Sequence, residues 1–333
     1  WWDRTRAENI TITITITSSR SAEHVHVTRR DARRRQGALQ RPHHRPIGGM
    51  ASEVKLMTDE AGLTFEYLDA DETTFLYEEI FTRRQYEQHG VEVSQSGTPV
   101  IVDCGANIGL FALHCLRENK SAQVFAVEPS PAAFRCLERN LASESAVCAR
   151  LLLRDRAAKQ LTLHCFPDAP GESTCNPAER RRQRDRLREH VGGETLVAES
   201  AGESASEAVE VAAATLSDLF AVWAVLSVDL LKVDVEGDEL LVLRGIRAAD
   251  WPKIRQVVCE VHDVHGRLEG VCQLLRRHGL RVTRELQRGG VQDGYEMVVP
   301  ASLRLYYVYA TRAAGGTSHG CKRARALPER GDA

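Results

Sequence analysis

No apolar stretch in this 333-residue chain approaches the ~20 residues that a bilayer-spanning helix needs. The first residues also lack the charged, apolar and small-residue layout of a secretory signal. Cys-x-x-Cys is absent: the nine cysteines (Cys104, Cys115, Cys136, Cys148, Cys165, Cys175, Cys259, Cys272 and Cys321) are odd in number and scattered. That pattern argues against a disulfide framework or a zinc ribbon and for small core residues in a reducing compartment. An excess of either charge is missing too. A formal net charge of −2 gives no global electrostatic case for nucleic acid or a membrane surface as partner. A cytoplasmic location is expected. What the chain does have is 43% hydrophobic and 27% charged residues, enough to bury one large core with tails.

Residues 1–50 read as a low-complexity leader outside the fold. Thr11 to Thr17 alternates Thr and Ile like a strand, and an Arg-rich stretch follows around Arg29 to Arg35. The first methionine is Met50, so a natural start there, or a fragmentary sequence, is expected. An organelle transit peptide is the alternative for this Arg-rich, acid-poor segment. Residues 313–333 are rich in Gly, Arg and Lys and read as a disordered tail. Between them, residues 51–312 form one domain of α/β type. A hairpin is expected over Glu53 to Asp69 and a helix over Thr73 to His89. Strands are expected at Val100 to Cys104, Gln123 to Val127, Val147 to Leu153, Gln160 to Phe166, Leu226 to Val233, Ile254 to Val261, Leu280 to Arg284 and Leu303 to Tyr309. Helices are expected at Ile108 to Arg117, Pro131 to Leu141, Asp238 to Arg247 and Gly266 to His278. Strands separated by helices predict a doubly wound, mostly parallel sheet with ligands at the carboxyl ends of its strands. Residues 167–214 interrupt the alternation as an insertion. It carries a basic helix starting at Pro177, whose arginines are interleaved with Glu179, Asp185 and Glu189 and so suit a solvated face.

The chemistry begins at VDCGANIGLF, Val102 to Phe111: strand, glycine turn, helix N-terminus. Such a turn brings backbone N–H groups against a bound nucleotide. The spacing Asp-x-Gly-x-x-x-Gly departs from the dinucleotide fingerprint. Asp103, two residues before Gly105, would be unwelcome beside a pyrophosphate but suits a cationic amine. That combination points to S-adenosylmethionine. Glu128 ends the next strand, where a carboxylate accepts ribose hydroxyls. Asp234 and Glu236 follow the apolar run Leu230 to Val233 and open onto the same cleft, with helix capping by Asp234 as the plainer role. His262, in CEVHD (Cys259 to Asp263), stands at another strand mouth. Its ordinary pKa suits a general base, with Glu260 and Asp263 to orient it, against a purely structural histidine. A divalent metal on these oxygen and imidazole groups is a further alternative, but none is expected as cofactor.

With these blocks assembled, the chain resembles the FkbM family of S-adenosylmethionine-dependent methyltransferases. The matching segments are Val102 to Glu118, Val124 to Asn140, Leu230 to Ile246 and Glu260 to Val282. TTFLYEEIF (Thr73 to Phe81) and GESTCNPAER (Gly171 to Arg180) are similar to the form embedded in polyketide and peptide synthetases. The resemblance implies a class I, Rossmann-like methyltransferase fold of seven strands, the last antiparallel, and methyl transfer to a hydroxyl of a sugar or natural product. It also implies that Asp103, Gly105, Asn107 and Gly109 form the turn on the methionine side of the cofactor. Glu128 would then bind ribose, Asp155 face the adenine amine, and Asp234 close the site near the methyl. No synthetase domain flanks the segment in these 333 residues, so a carrier-bound acceptor is not assumed. Two other readings stay open: a cofactor-binding scaffold without turnover, and a nucleic-acid methyltransferase using the basic stretches as footprint.

Overall fold

The computed structural model describes residues 10–18, 21–29, 55–167, 169–182, 185, 206–287, 291–292, 295–296 and 304–312. The Thr/Ile alternation is realised as β1 (Ile10–Ser18), paired antiparallel with β2 (Ser21–Arg29). A second hairpin, β3 (Lys55–Thr58) and β4 (Thr64–Tyr67), lies where the sequence placed it. Helix α1 (Ala70–Tyr77) starts on Asp69, whose carboxylate accepts the Glu72 N–H. Then come β5 (Val100–Cys104), α2 (Leu110–Glu118), β6 (Gln123–Val127), α3 (Pro131–Asn140), β7 (Ala146–Ala149), β8 (Leu152–Leu153) and β9 (Ala158–Cys165). They are followed by α4 (residues 177–182), β10 (Glu207–Ala214), α5 (Leu216–Val222), β11 (Leu230–Val233), α6 (Glu239–Arg244) and β12 (Gln256–His262). The last elements are α7 (Arg267–Arg277), β13 (Arg281–Leu286), β14 (Val291–Gln292), β15 (Tyr295–Glu296) and β16 (Leu305–Thr311).

The main sheet runs β1-β2-β7-β6-β5-β11-β12-β16-β13. From β7 to β12 every pairing is parallel, and β16 lies antiparallel between β12 and β13. The chain therefore lays down β5, steps outward to β6 and β7, and returns to the other side of β5 with β11. That reversal opens a crevice at the carboxyl ends of the central strands, where ligands of such sheets bind. Side chains alternate across the sheet: Val102 and Cys104 enter one core layer with α5, α6 and α7, while Ile101 enters the other with α2 and α3. Each fully buried aliphatic of these layers contributes about 1.5–3 kcal/mol. Six of the eight described cysteines are buried and all eight are free, as expected of core residues.

Three expectations are corrected. The helix over Thr73 to His89 ends early: α1 widens into a π turn at Glu78–Thr82, and Arg84 and His89 take positive φ. The strand over Val147 to Leu153 breaks after Ala149, and β8 leaves for a second sheet, β8-β10-β9. β10 went unrecognised because EAVEVAAA carries no apolar alternation strong enough to read; it is specified by pairing with β9. Of the basic helix, residues 186–190 lie outside the described residues, as do residues 313–333 and most of the leader. Among the described residues no helix is long and apolar enough to cross a membrane.

Candidate active site

The turn after β5 is built by backbone constraints. Gly105 has φ +77°, and a Cβ there would stand 1.6 Å from the carbonyl oxygen of Asp234, so only glycine lets the turn pass over β11's end. Asn107 and Gly109 also take positive φ before α2 begins. The N–H groups of Gly105 and Ala106 both donate to the Val127 carbonyl, at 2.9 and 3.0 Å. The Asn107 N–H donates to Glu128 Oε2 at 2.9 Å, and the Ser130 N–H to Glu128 Oε1 at 2.8 Å. The expectation of amides pointing at a nucleotide is corrected here: these three close the turn onto β6. What the turn presents instead is the Glu128 carboxyl, fixed on both oxygens and pushed by burial up to about 7.

Asp103 is likewise not where the sequence placed it. It is 0% exposed and does not line the cavity, and the amine it meets belongs to the chain itself. Lys232, its direct partner in the β5–β11 register, places Nζ 3.2 Å from Asp103 Oδ1 and 3.3 Å from Asp234 Oδ2. The same Nζ donates to the Gly105 carbonyl at 3.1 Å and sits over the rings of Tyr86 and Phe111. Burial alone would lower this ammonium, but the two aspartates outweigh it and raise it.

A cavity of about 780 Å³ fills the crevice, within the 300–1,000 Å³ usual for small-molecule sites. One wall is Glu128 and the apolar run Leu151 to Leu153; another is Asp234, Glu236 and Glu260 at the ends of β11 and β12. Its roof is α1 together with residues 167 and 169–175. Glu72 ties the two roof pieces to the glycine turn: Oε1 accepts Asn107 Nδ2 and Oε2 accepts the Gly171 N–H, both at 3.0 Å. Thr174 Oγ1 donates to the Glu236 carbonyl at 3.0 Å. The GESTCNPAER block thus acts as cover, and its Arg180 turns inward over Phe166 and onto Glu172 rather than outward to a nucleic acid.

Inside, Tyr86 donates to Asp234 Oδ2 at 3.0 Å and lies 3.5 Å from Glu260 Oε2. Glu79 takes the Tyr307 hydroxyl and Gln287 Nε2 at 3.3 Å. Burial first, then neighbouring carboxylates, push Glu79, Glu236 and Glu260 well up. Asp234 does not cap a helix; α6 starts one turn later, after Asp238.

His262 is corrected as a base facing substrate. It does not line the cavity, its Nδ1 is buried without a partner, and Nε2 is 3.7 Å from Glu236 Oε2. Burial, helped by Arg267, pushes it down to about 4. Neither expected orienting group bonds it: Asp263 accepts the Leu268 N–H at the head of α7, and Glu260 faces Tyr86. Asp155 is exposed in the bend after β8, outside the lining, because the break at Ala149 carries the chain past the crevice. Among the described residues no three His, Cys, Asp or Glu side chains are placed to hold a metal ion. Tyr86 was expected on a helix that covers the cofactor or merely packs, and it lines the cavity; sequence reasoning missed Lys232, Glu72 and Glu79. The one available signal was a lysine inside an otherwise apolar strand.

Across the seven strands β7-β6-β5-β11-β12-β16-β13 the chain order is third, second, first, fourth, fifth, seventh, sixth, with β16 reversed and a carboxylate at the end of β6, and this defines a class I methyltransferase, the S-adenosylmethionine-dependent kind. The family model of the methyltransferase FkbM domain matches residues 103–282, and the chain belongs to that family. It is similar to the 31-O-demethyl-FK506 methyltransferase FkbM of Streptomyces tacrolimicus, 39% identical over 247 residues that cover 71% of this chain and 92% of that protein. It is also similar to methyltransferase sdnD of Sordaria araneosa, 34% identical over 234 residues covering 67% and 88%. The crystal structure of a methyltransferase FkbM from Methylobacillus flagellatus KT superposes on 70% of this chain and 47% of its own, with 14% identity and a TM-score of 0.40.

Proposed function

We propose that this chain methylates a hydroxyl of a small natural product, with S-adenosylmethionine as donor. The observation that carries the reading is a single cavity bounded by Glu128 at the end of β6 and by Asp234 at the end of β11. The donor set fits the cofactor. Glu128 is fixed beside the glycine turn for ribose hydroxyls, and Leu151 to Leu153 offer an apolar face for adenine in place of Asp155. The Asn107 Oδ1, buried without a partner, is an acceptor for the ammonium of the methionine part, with Gly105 and Gly109 shaping the turn. When bound, the cofactor supplies an electrophilic methyl group.

Little covalent help is required of the protein in such a displacement, so positioning carries most of the rate. Roof residues 167 and 169–175, held by Glu72 and Thr174, keep water out of the crevice. The proton of the attacking hydroxyl goes to Asp234, the role first expected of His262. Tyr86 and Lys232 both hold Asp234 through Oδ2, leaving Oδ1 to receive it. The relative from Streptomyces tacrolimicus, a 31-O-demethyl-FK506 methyltransferase, supports oxygen as acceptor atom.

The test is labelled-methyl transfer to 31-O-demethyl-FK506 and to small-molecule extracts. Asp234→Asn is expected to lower kcat by about 10²–10⁴ with cofactor affinity changed only a few fold. His262→Ala is expected to keep most of the activity. Full transfer by Asp234→Asn removes Asp234 as the base, and label appearing on nitrogen alone removes the hydroxyl acceptor.

A further inference from the structure

Asn107 is held from two sides by carboxylates. Its backbone N–H donates to Glu128 Oε2 at 2.9 Å, and its side-chain Nδ2 to Glu72 Oε1 at 3.0 Å. The first bond comes from a strand end, the second from the roof. Glu72 is the third residue of α1, after the N-cap Asp69, a position from which a carboxylate often folds back onto the cap residue's own N–H. Here it reaches across the cavity wall instead. One oxygen takes Asn107 and the other takes the Gly171 N–H, also at 3.0 Å, and all three residues line the cavity. Glycine at 171 is what allows the meeting: a Cβ there would stand 2.5 Å from Glu72 Oε1 and 3.0 Å from Asn107 Nδ2.

A carboxylate only accepts hydrogen bonds, whereas an amide has one accepting and one donating end. With Glu72 opposite, the Asn107 amide has to turn Nδ2 toward the roof. Its Oδ1 then takes the other corner, and that oxygen is buried with no partner in the protein. A buried acceptor left alone is unfavourable, and a donor brought by a ligand relieves it. An amide turned the other way round would offer the ligand N–H groups there, which repel an ammonium. Glu72 therefore decides which end of Asn107 a ligand meets.

We propose that Glu72 is a positioning residue for the cofactor: it holds the Asn107 amide so that Oδ1 meets the ammonium of the methionine part. The proposal rests on the reading of S-adenosylmethionine as donor and of Asn107 as its ammonium acceptor. Because the same carboxylate carries the Gly171 N–H, one side chain sets both the roof and the ammonium site. Its influence is confined to the amino-acid part of the cofactor, since ribose and adenine are met by Glu128 and by Leu151 to Leu153.

Isothermal titration of the full chain with S-adenosylmethionine and with 5′-methylthioadenosine separates this role from simple packing, because the second molecule lacks the amino-acid part. Glu72→Gln keeps the side chain's volume but has one acceptor where two are needed; with its oxygen on Gly171 it offers Asn107 a donor and turns the amide. It is expected to weaken S-adenosylmethionine about tenfold or more, the size of one charge-assisted hydrogen bond, and to leave methylthioadenosine nearly unchanged. Combining Glu72→Gln with Asn107→Asp exchanges amide and carboxylate, so that an acceptor again faces the ammonium, and is expected to recover most of the affinity. Asn107→Asp alone sets two carboxylates against each other and is expected to bind more weakly than the double variant. Unchanged binding by Glu72→Gln overturns the proposal, and so does equal weakening of both molecules, which would mark a packing role. A double variant no tighter than either single one overturns it too. If wild type binds neither molecule, the reading of the donor itself falls, and the proposal with it.

Discussion

Lys232 stands in the middle of an apolar strand, where a charge is normally excluded, and every contact of its ammonium is with a group that needs it. Asp103 is wholly buried beside it, so removing the lysine strands a carboxylate away from water. Lys232→Met is expected to lower the unfolding free energy at pH 7 by about 3–5 kcal/mol, the usual result of breaking a buried pair. The loss should shrink at acid pH, where Asp103 takes a proton, and Asp103→Asn should recover much of it. Denaturant titration at pH 7 and pH 4 measures both, and a deficit below about 1 kcal/mol at pH 7 would show the pair to be dispensable. At this scale the sequence was legible where backbone geometry dictates residue type. Gly105 and Glu128 sit at a turn and a strand end that permit few alternatives. Asp103 was found for the wrong partner, because nothing local reveals that the amine it meets lies on a strand more than a hundred residues later. His262 was misread for the converse reason: a strand-mouth position does not say whether the ring faces the cleft or the layer behind it.

The segment after α1 shows what periodicity misses. Thr73 to His89 carries apolar residues on one side, yet the chain leaves the helix to deliver Tyr86 to Asp234. Its clamp is Glu87, which takes Arg84, the Val93 N–H and His114 Nε2. Burial would raise this carboxyl, but these donors, His114 first, bring it down to about 2. A folded pKa below the unfolded value means a contribution present above about pH 4.3 and lost as pH falls toward 2. Glu87→Gln is therefore expected to lower the melting temperature at pH 7 and to have almost no effect near pH 2. Thermal scans at the two pH values check it; an equal deficit at both would mean that the side chain's volume, not its charge, is what counts. Elements of the parallel core were read to within a few residues because buried apolar runs and flanking turns coincide there. β10 and the roof were not, since their stability comes from pairing and long-range bonds that leave little local pattern.

Across the whole molecule, the carboxylates concentrated on one side of the sheet set the pH range of the empty protein. Glu239, 0% exposed, has Oε2 without a hydrogen-bond partner and Arg267 Nη1 3.7 Å away. Burial pushes Glu239 and Glu128 each up to about 7. Folded pKa values above the unfolded ones give a contribution fully present below about pH 4.3 and lost as pH rises through 7. Stability should thus fall between pH 5 and 8.5, and Glu239→Gln should flatten that slope, matching wild type near pH 5 and exceeding it at 8.5. Melting temperatures that rise from pH 5 to 8.5 in wild type would contradict this account. The doubly wound, mostly parallel sheet was legible from the order of strands and helices, because connection rules leave few ways to arrange them, whereas its reversed seventh strand was implied only by the family resemblance. The cavity's covering and its charge were not, since both arise from side chains that meet only after folding.

Pairing of Lys232 with Asp103 directly across β5 and β11 has a consequence for assembly itself. In a parallel pair of hydrophobic strands, apolar side chains alone would tolerate a slipped alignment. A slip of one residue here turns the ammonium toward the opposite apolar layer and leaves the carboxylate alone in its own. The pair is a gauge of alignment at the seam where the chain doubles back: only the register that closes the crevice correctly also satisfies both charges.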